Sequence, residues 1–483
     1  MIAALLLIAA EAGPVLRVPP AILADGEVAG GDPQLVWPVG TTLKVEGDGG
    51  EIVVRADRAI DDRAIDAFRD AAGTAIGDLR WNDDSLVLRP AAGRDLRWRL
   101  DANRVTIGFT PPADVPAPPV GEATGDLDPQ LLAIEADVAA GYPGEGRRRA
   151  ELLAAQHPED ERVTRILADA RSADGDAAGA NRLYRQLGAT DRSARRAAAF
   201  APGAASAVVT LRDGSDLSQV ESSARVDIAV TDRTTIGGGV RHVASSIGDE
   251  RRGSPVVEAG ATVRIGDEAR MQAVLAGALD SGVTGGGVRY ASGSVEGQWR
   301  AGVTLHQPDY STREQALYDG WLSRLSAGVT YRIAPGLVGQ VDIGGNRYGL
   351  AGGDGAVDTI TLAGGIDYIR RRGGVAFGLT YRLDAEYVQR RRGGIDFATR
   401  ENHTVQGLLS GAIGEAQLTG LAGWTVDRFG GDGPNASLGL VLPVSDAWRV
   451  EGSGGISSVT RPGFAGQQLF ARAGVTRGLG SGR

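Results

Sequence analysis

The stretch "WLSRLSAGVTYRIAPG", at positions 321–336, alternates between two kinds of side chain. Its odd-numbered positions are mostly apolar or aromatic, whereas its even-numbered positions are mostly polar and include Arg324 and Arg332. Successive side chains of a β-strand point to opposite faces, so the stretch predicts a strand with one apolar and one polar face. The apolar face would point inward in a soluble sandwich and outward, toward lipid, in a membrane barrel.

Similar alternating stretches recur from about Ala204 to the end of the chain. We count sixteen candidate strands, which begin near positions 206, 218, 234, 256, 269, 284, 294, 321, 337, 357, 374, 401, 415, 435, 447 and 467. Each strand with its connection takes about 17 residues, which suits tilted membrane strands of about 9–11 residues joined by turns. The even number returns the chain to the side on which the first strand begins.

The connections between these strands alternate in length. Short ones such as "GDEA" (266–269) and "APG" (334–336) follow the even strands, and several longer ones such as "QPDYSTREQALYDG" (307–320) and "RRRGGIDFATREN" (390–402) follow the odd strands. Outer-membrane barrels have short periplasmic turns and longer extracellular loops. Residues 204–483 are therefore predicted to form a sixteen-stranded antiparallel transmembrane β-barrel.

The polar face of many of these strands carries charged side chains at mid-strand. A soluble core would reject such charges, whereas the interior of a wide barrel keeps them hydrated. We therefore expect the apolar face to contact lipid and the polar face to line a lumen. The predicted lumen-facing residues are Glu221, Arg225, Asp227, Glu258, Arg264, Glu296, Arg300, Arg324, Arg332, Asp367, Arg382, Asp384, Glu386, Arg449 and Glu451.

Aromatic side chains lie near strand ends or on the apolar faces. Tyrosine and tryptophan concentrate at both membrane–water interfaces of transmembrane barrels. The predicted lipid-interface residues are Trp321, Tyr331, Tyr387, Trp424 and Trp448.

The chain before the barrel divides into four predicted segments. Residues 1–12 contain a short apolar run followed by a small-x-small site, the pattern of a signal peptide. Residues 31–111 predict a small α+β domain in the periplasm, with strands at 51–56, 85–90, 95–100 and 104–109, a helix near 61–73, and Trp81 and Trp98 in its core. Residues 112–125 are a Pro-rich linker.

Residues 126–200 change to a helical pattern. A helix, a break at His157-Pro158 and a helix pair that turns at Gly175-Asp176 are predicted. Ala168, Gly175, Ala180 and Tyr184 fall about where a tetratricopeptide repeat has its small residues and its packing aromatic. The segment resembles one to two such repeats.

Several classes of function have no support in the sequence. The net charge of −9 argues against nucleic acid as a partner. There is no cysteine, the four histidines do not have metal-ligand spacing, and no G-x-S-x-G nucleophile motif is present. We expect no catalytic residue, no metal, no cofactor and no enzymatic activity.

The order of helical repeats followed by a sixteen-stranded barrel resembles the outer-membrane porins that export polysaccharides such as cellulose or poly-N-acetylglucosamine. That resemblance covers roughly residues 126–483. It implies an outer-membrane protein with its N-terminal part in the periplasm, a barrel in contact with lipid and a polysaccharide in the lumen. It also implies periplasmic helices that guide the substrate or bind partners such as an inner-membrane synthase.

Two alternatives remain open from the sequence. A general or selective porin for small solutes would be favoured if the long connection 307–320 folded into the lumen. An envelope anchor or interaction protein that transports nothing would be favoured by a lumen plugged with side chains.

Overall fold

The structure is a computed structural model. It describes residues 15–17, 33–47, 50–57, 62–81, 85–110, 127–139, 143–266, 269–293, 297–334, 336–353, 355–372, 375–462 and 466–480. The predicted signal peptide (1–12) and Pro-rich linker (112–125) lie outside these residues. The chain folds as two compact units that divide between Asp174 and Gly175.

The first unit contains two four-stranded antiparallel sheets. One has the strand order β1-β2-β8-β7 and the other the order β3-β4-β6-β5. The elements are β1(Val15–Arg17), β2(Gln34–Val36), β3(Leu43–Gly47), β4(Ile52–Ala56), α1(Asp62–Ala72), a 3-10 turn (Gly73–Ala75), β5(Ile76–Trp81), β6(Ser85–Pro90), β7(Asp95–Asp101) and β8(Arg104–Thr110). All the strands and the helix predicted here are present, and β1, β2, β3 and β5 are additional.

The core of these sheets differs in one respect from the prediction. Trp37 is fully buried, whereas Trp81 and Trp98 are only partly buried and pack against the edge of the core. Trp37 lies in the extended residues directly after the short strand β2, a segment too short to show the alternation that identifies a strand. The expectation that Trp81 and Trp98 fill the core was therefore wrong.

Three helices complete the first unit: α2(Leu127–Ala139), α3(Pro143–Gln156) and α4(Glu161–Ala173). Leu132 and Ala136 of α2 pack against Val53 and Val87 of the β3-β4-β6-β5 sheet. Buried Asp137 accepts hydrogen bonds from two arginines of this unit, Arg80 at 3.0 Å and Arg149 at 2.8 Å. The helix that packs on a sheet of the small β-rich domain is therefore α2, which was not among the individual helices predicted for this segment.

The second unit begins with α5(Ala177–Gln186) and α6(Arg192–Phe200). The side chains of Asp176 and Asp191 accept hydrogen bonds from backbone N–H groups in the first turns of these helices, which is the usual N-cap contact. Gly175, at the predicted turn, has a φ of +81°, which a residue with a side chain rarely adopts. The similarity of residues 126–200 to tetratricopeptide repeats stays a prediction from the sequence.

The rest of the second unit is a closed barrel of sixteen antiparallel strands. They are β9(Gly203–Asp213), β10(Ser218–Ala229), β11(Thr234–Ile247), β12(Glu250–Ile265), β13(Ala269–Ala278), β14(Thr284–Gly293), β15(Gly297–Pro308), β16(Gly320–Ala334), β17(Leu337–Leu350), β18(Ala356–Arg372), β19(Val375–Arg392), β20(Arg400–Ile413), β21(Ala416–Asp427), β22(Asp432–Pro443), β23(Trp448–Ser457) and β24(Gln468–Gly478). Each strand pairs with its neighbours in the chain, and β24 closes the barrel on β9. The predicted fold class is confirmed.

The predicted strand starts agree closely with the observed ones except at β12. That strand begins at Glu250 rather than near 256, because the connection before it is only a two-residue turn at Gly248 and Asp249. Gly248 has a φ of +57°, as such tight hairpins require. The polar residues after the turn continue the strand rather than form a loop.

One short helix, α7(Arg313–Tyr318), lies inside the connection between β15 and β16 and was not predicted. Thr312 and Gln315 form a reciprocal capping box at its start, in which each side chain accepts a hydrogen bond from the backbone N–H of the other. These local hydrogen bonds stabilise the first turn of the six-residue helix.

None of the helices in the described part of the chain is long and apolar enough to cross a bilayer.

Candidate functional site

The strand registers divide the barrel wall into two faces. Directly paired residues of antiparallel strands point to the same side of a sheet. The face that carries Arg324 continues through Thr304 on β15 and Asn346 on β17, and the registers of the other strand pairs extend the same alternation along the wall. The opposite face exposes apolar residues such as Leu325 and Leu438.

The face that carries Arg324 is the luminal one. A cavity of about 580 Å³ is lined by side chains of this face from strands as far apart as β9 and β17, including Arg212 and Gln340. Only the interior of the barrel can bring such distant strands to one cavity. The apolar face therefore points outward, and a contiguous apolar outer surface is typical of a membrane-spanning wall.

The luminal face carries more arginines than carboxylates in the described strands. The fourteen arginines are Arg212, Arg225, Arg241, Arg252, Arg264, Arg270, Arg289, Arg300, Arg324, Arg332, Arg382, Arg400, Arg449 and Arg472. The ten acidic residues are Glu221, Asp227, Glu250, Glu258, Asp342, Asp367, Asp384, Glu386, Asp427 and Glu451. This excess is opposite in sign to the net charge of the whole chain.

Fourteen of the fifteen residues predicted to face the lumen lie on this face, and Glu296 lies outside the described residues. Whether they contact a solute in passage stays a prediction.

Most of these residues are held in ion pairs along the wall. Their partners often come from neighbouring or next-but-one strands, as in Arg300–Asp342 and Arg382–Asp367. Arg225–Asp227, Arg241–Glu258, Arg400–Asp384 and Arg472–Glu451 form further pairs. These charges therefore stabilise the wall as well as hydrating the lumen.

Several luminal residues were not predicted from the sequence, among them Asp342, Arg270, Arg289 and Arg400. Asp342 is followed by a glycine-rich run and Arg289 is preceded by one, so few side chains show the alternation there. The signal was nevertheless present, because Val288 and Tyr290 flank Arg289 on the opposite face.

The connection between β15 and β16, residues 309–319, is called loop 4 here. It reaches luminal residues of β10, which lies five strands from β15 around the wall. The side-chain amide of Gln219 on β10 donates to the backbone oxygen of Tyr310 at 2.7 Å. The Tyr310 ring packs against luminal Val243 and Val256. Loop 4 therefore folds into the lumen.

Further contacts hold loop 4 in this position. Ala316 packs against Leu217 and Ile247, and the guanidinium of Arg252 donates to the backbone oxygen of Leu317 at 3.0 Å. The fully buried Gln315 donates to the backbone oxygen of Trp321 at 2.9 Å. Both apolar and polar contacts thus fasten the loop to the wall.

Loop 4 carries two acidic side chains in unfavourable surroundings. Burial raises the pKa of Asp309, although hydrogen bonds from Ser311 and the charges of Arg241 and Arg324 partly oppose this. Burial, followed by the nearby Asp280, likewise raises the pKa of Asp319. In each case the protonated form fits the packed loop better than the ionised form.

These shifts predict that acid favours the packed loop. A carboxyl group whose pKa is raised in the packed loop stabilises that loop fully below its ordinary pKa of 3.8. This stabilisation is lost as the pH increases from 3.8 to the raised pKa, and it does not change further above the raised pKa. We expect fewer openings and closings of loop 4 at about pH 4 than at neutral pH, recorded as current noise in planar bilayers. The Asp309→Asn/Asp319→Asn variant should show a flat pH profile; an unchanged profile would contradict the assignment.

Two further connections fold onto the luminal wall at the same end of the barrel. Loop 6 (393–399) packs Ile395 and Phe397 against luminal Tyr348 and Val357, and the Phe397 and Tyr348 rings lie 4.8 Å apart. The described part of loop 8 (458–462 and 466–467) reaches β20, where the backbone N–H of Thr460 donates to the side chain of Asn402 at 3.0 Å. We call this the long-loop end and the opposite end the short-turn end.

A buried polar network lies beneath loops 6 and 8. One carboxylate oxygen of Glu386 accepts hydrogen bonds from Asn346 at 2.8 Å, Tyr348 at 2.9 Å and Thr359 at 2.6 Å. The other accepts one from the guanidinium of Arg400 at 2.9 Å. The network joins β17, β18, β19 and β20, and Arg400 also donates to the backbone oxygen of Thr460 in loop 8 at 2.7 Å.

The short-turn end is bordered by α5 and α6. Arg182 forms an ion pair with Asp232 in the β10–β11 turn, and Arg192 with Glu415 in the β20–β21 turn. Arg195 pairs with Asp446 in the β22–β23 turn at 2.7 Å. These exposed pairs attach the two helices to one arc of the rim.

The predicted interface aromatics lie near both ends of the barrel. Tyr331 and Trp448 are exposed near the short-turn end, and the Arg477 guanidinium lies 5.3 Å from the centre of the Trp448 ring. Trp424, exposed toward the long-loop end, donates its indole N–H to Asp432 at 3.0 Å. Tyr387 donates to Glu401 at 2.6 Å, and the half-buried Trp321 stacks on His306. Their contact with lipid stays a prediction.

The described residues contain no group of three or more histidine, cysteine, aspartate or glutamate side chains placed to hold a metal ion.

Fold and lumen together define the class of this protein as a transmembrane β-barrel with a charged, loop-narrowed interior. No protein-family model matches the chain, and no curated protein matches its sequence.

Solved structures similar to the chain are outer-membrane barrels. A bacterial polysaccharide outer-membrane secretin is 12% identical, with 56% of this chain and 97% of that chain covered and a TM-score of 0.45. OccK11 of Pseudomonas aeruginosa is 12% identical over 57% of this chain and 94% of that one, with a TM-score of 0.32. An anion-selective porin from Comamonas acidovorans is 12% identical over 56% and 98%, with a TM-score of 0.31.

Proposed function

We propose that this protein is an outer-membrane channel through which small polar solutes diffuse, with its N-terminal unit in the periplasm. The observation that carries the proposal is loop 4, which leaves the rim and packs on luminal side chains five strands away. A loop in that position narrows the path without replacing its polar lining. Passage through such a path requires no cofactor and no enzymatic step.

The lining itself supports passage of polar solutes. Charged and hydroxyl side chains such as Arg382, Asp384, Thr404 and Ser437 surround the cavity of about 580 Å³. A solute that leaves bulk water can exchange hydrogen bonds with these groups, so the cost of dehydration stays low. An apolar lining would instead exclude water and ions.

Export of a polysaccharide remains the second candidate. The helices α2–α6, which precede the barrel, support it because they could guide a polymer or bind a synthase. The three connections that fold onto the luminal wall oppose it, because an extended polymer needs a continuous wide path. A non-transporting anchor is the third reading and requires a lumen closed to ions.

Planar-bilayer recording of the full-length protein separates these readings. We expect stepwise currents in potassium chloride that change little when a cello-oligosaccharide or an N-acetylglucosamine oligosaccharide is added. A current that such an oligosaccharide blocks strongly would favour the polymer path. The complete absence of current from correctly folded protein would contradict both transport readings and favour the anchor. Detergent without protein provides the baseline.

A further inference from the structure

Four arginines form a row across four adjacent strands of the luminal wall. Arg264 on β12 is directly opposite Arg270 on β13. Arg270 pairs with Ala291 and Gln272 pairs with Arg289, which places Arg289 of β14 diagonally beside Arg270. Ala291 also pairs with Arg300 of β15, which continues the row.

Such a row is electrostatically unfavourable unless anions compensate it. Like charges directly opposite each other on a sheet repel, and diagonal neighbours lie within reach of long side chains. Among Arg270, Arg289 and Arg300, the described residues supply a carboxylate to Arg300 alone: Asp342 accepts a hydrogen bond from its Nε at 2.6 Å. Arg270 and Arg289 form no ion pair with any described residue.

The row borders a recess large enough for a small organic anion. A cavity of about 490 Å³ is lined by Arg270, Arg289 and Arg300, with the hydrogen-bonding side chains of Gln272 and Ser326 beside them. The guanidinium group has five donors in a planar fork, which matches carboxylate and phosphate oxygens in pairs. The local positive charge arises although the chain as a whole has a net charge of −9.

We propose that this arginine row is a binding station for small anions bearing carboxylate or phosphate groups, and that it makes the channel prefer anions to cations. The inference rests on the proposed function, because a station in the lumen matters only if solutes pass it. An anion that enters the recess satisfies guanidinium donors that the wall leaves without a carboxylate. It can leave again because the recess is open to the lumen.

Reversal potentials in a potassium chloride gradient test the preference. We expect chloride to carry most of the current through the wild-type channel. The Arg270→Gln/Arg289→Gln variant should bring the ratio of chloride to potassium permeability toward one. We expect this ratio to fall roughly tenfold, the lower end of the range by which charged clefts concentrate counter-ions. Citrate and inorganic phosphate, added separately, should reduce the chloride current of the wild type and much less that of the variant.

Two further variants separate charge from geometry. Arg270→Lys/Arg289→Lys keeps the charge but loses the planar fork, so the anion preference should remain while block by citrate weakens. Arg251→Gln removes one arginine from the exposed outward side of β12. It should change neither the anion preference nor the block by citrate. Heat-modifiable gel mobility shows that each variant has folded.

Each result decides between the two proposals. An open wild-type channel that passes potassium and chloride equally would overturn the arginine station and leave the channel itself intact. An anion preference that survives Arg270→Gln/Arg289→Gln would place its origin elsewhere in the lumen and would also overturn the station. No current at all would overturn the proposed function and this inference with it.

Discussion

Replacing residues 310–318 of loop 4 with a short glycine–serine linker should raise the single-channel conductance several-fold. The segment occupies luminal space between the β15–β16 rim and β10, and its removal leaves the polar wall behind it exposed. Planar-bilayer recording measures the change directly. The strands on either side, β15 and β16, keep their own hydrogen-bonded partners, so the barrel itself should remain closed.

A matched pair of tyrosines provides a sharper version of this test. Tyr310 and Tyr318 lie in the same loop, but Tyr310 is 5% exposed and Tyr318 is 62% exposed. Tyr310→Ala should weaken the packing of the loop by about 3 kcal/mol, as truncating a buried aromatic side chain commonly does, and should give large current fluctuations. Tyr318→Ala should leave the current trace as it is. Equal effects of the two variants would contradict the inward position of the loop.

Removing the carboxylate of Glu386 should cause the largest loss of stability that we expect from a single substitution. Glu386 is 1% exposed and accepts four hydrogen bonds, among them one from the buried Arg400. Glu386→Ala leaves that guanidinium with the more distant Asp384, at 3.3 Å, as its remaining carboxylate. Breaking a buried ion pair on one side costs about 3–5 kcal/mol.

Guanidinium chloride unfolding in detergent or lipid, followed by tryptophan fluorescence, measures this cost. Glu386→Gln keeps a polar side chain of similar shape and should lose less stability than Glu386→Ala. Glu221→Ala, on the luminal face but without any ion pair among the described residues, should change stability by less than about 1 kcal/mol. A cost at Glu221 equal to that at Glu386 would refute the network as the source of the effect.

Much of the barrel could be predicted because a strand with one apolar and one polar face shows alternating apolar and polar residues in the sequence. In β19, Phe377, Leu379 and Tyr381 alternate with Thr380 and Arg382 at a period of two. The membrane outside and the water inside require opposite chemistry on adjacent residues, so each strand shows its orientation locally. Where glycines take the place of larger residues, as before Arg289, few side chains show the alternation, and luminal residues were not predicted.

The inward position of loop 4 could not be predicted in the same way. The sequence "QPDYSTREQALYDG" contains a helix cap and a tyrosine but no periodicity that identifies a partner. Its contacts with Gln219 and Val243 join positions far apart in the chain. The same holds for Glu386, whose alternation indicates a luminal side chain but not the four groups that surround it.

The amino-acid sequence alone determined the number of strands and, where side chains alternate clearly, which side of a strand faces water, because these follow from alternation and turn chemistry within a few neighbouring residues. Only the tertiary structure decided which luminal arginines have carboxylate partners, which stand beside one another without one, and which loops narrow the lumen. Those properties depend on the register between strands and on contacts across the barrel. Closure of the wall, rather than any local pattern, brings those residues together.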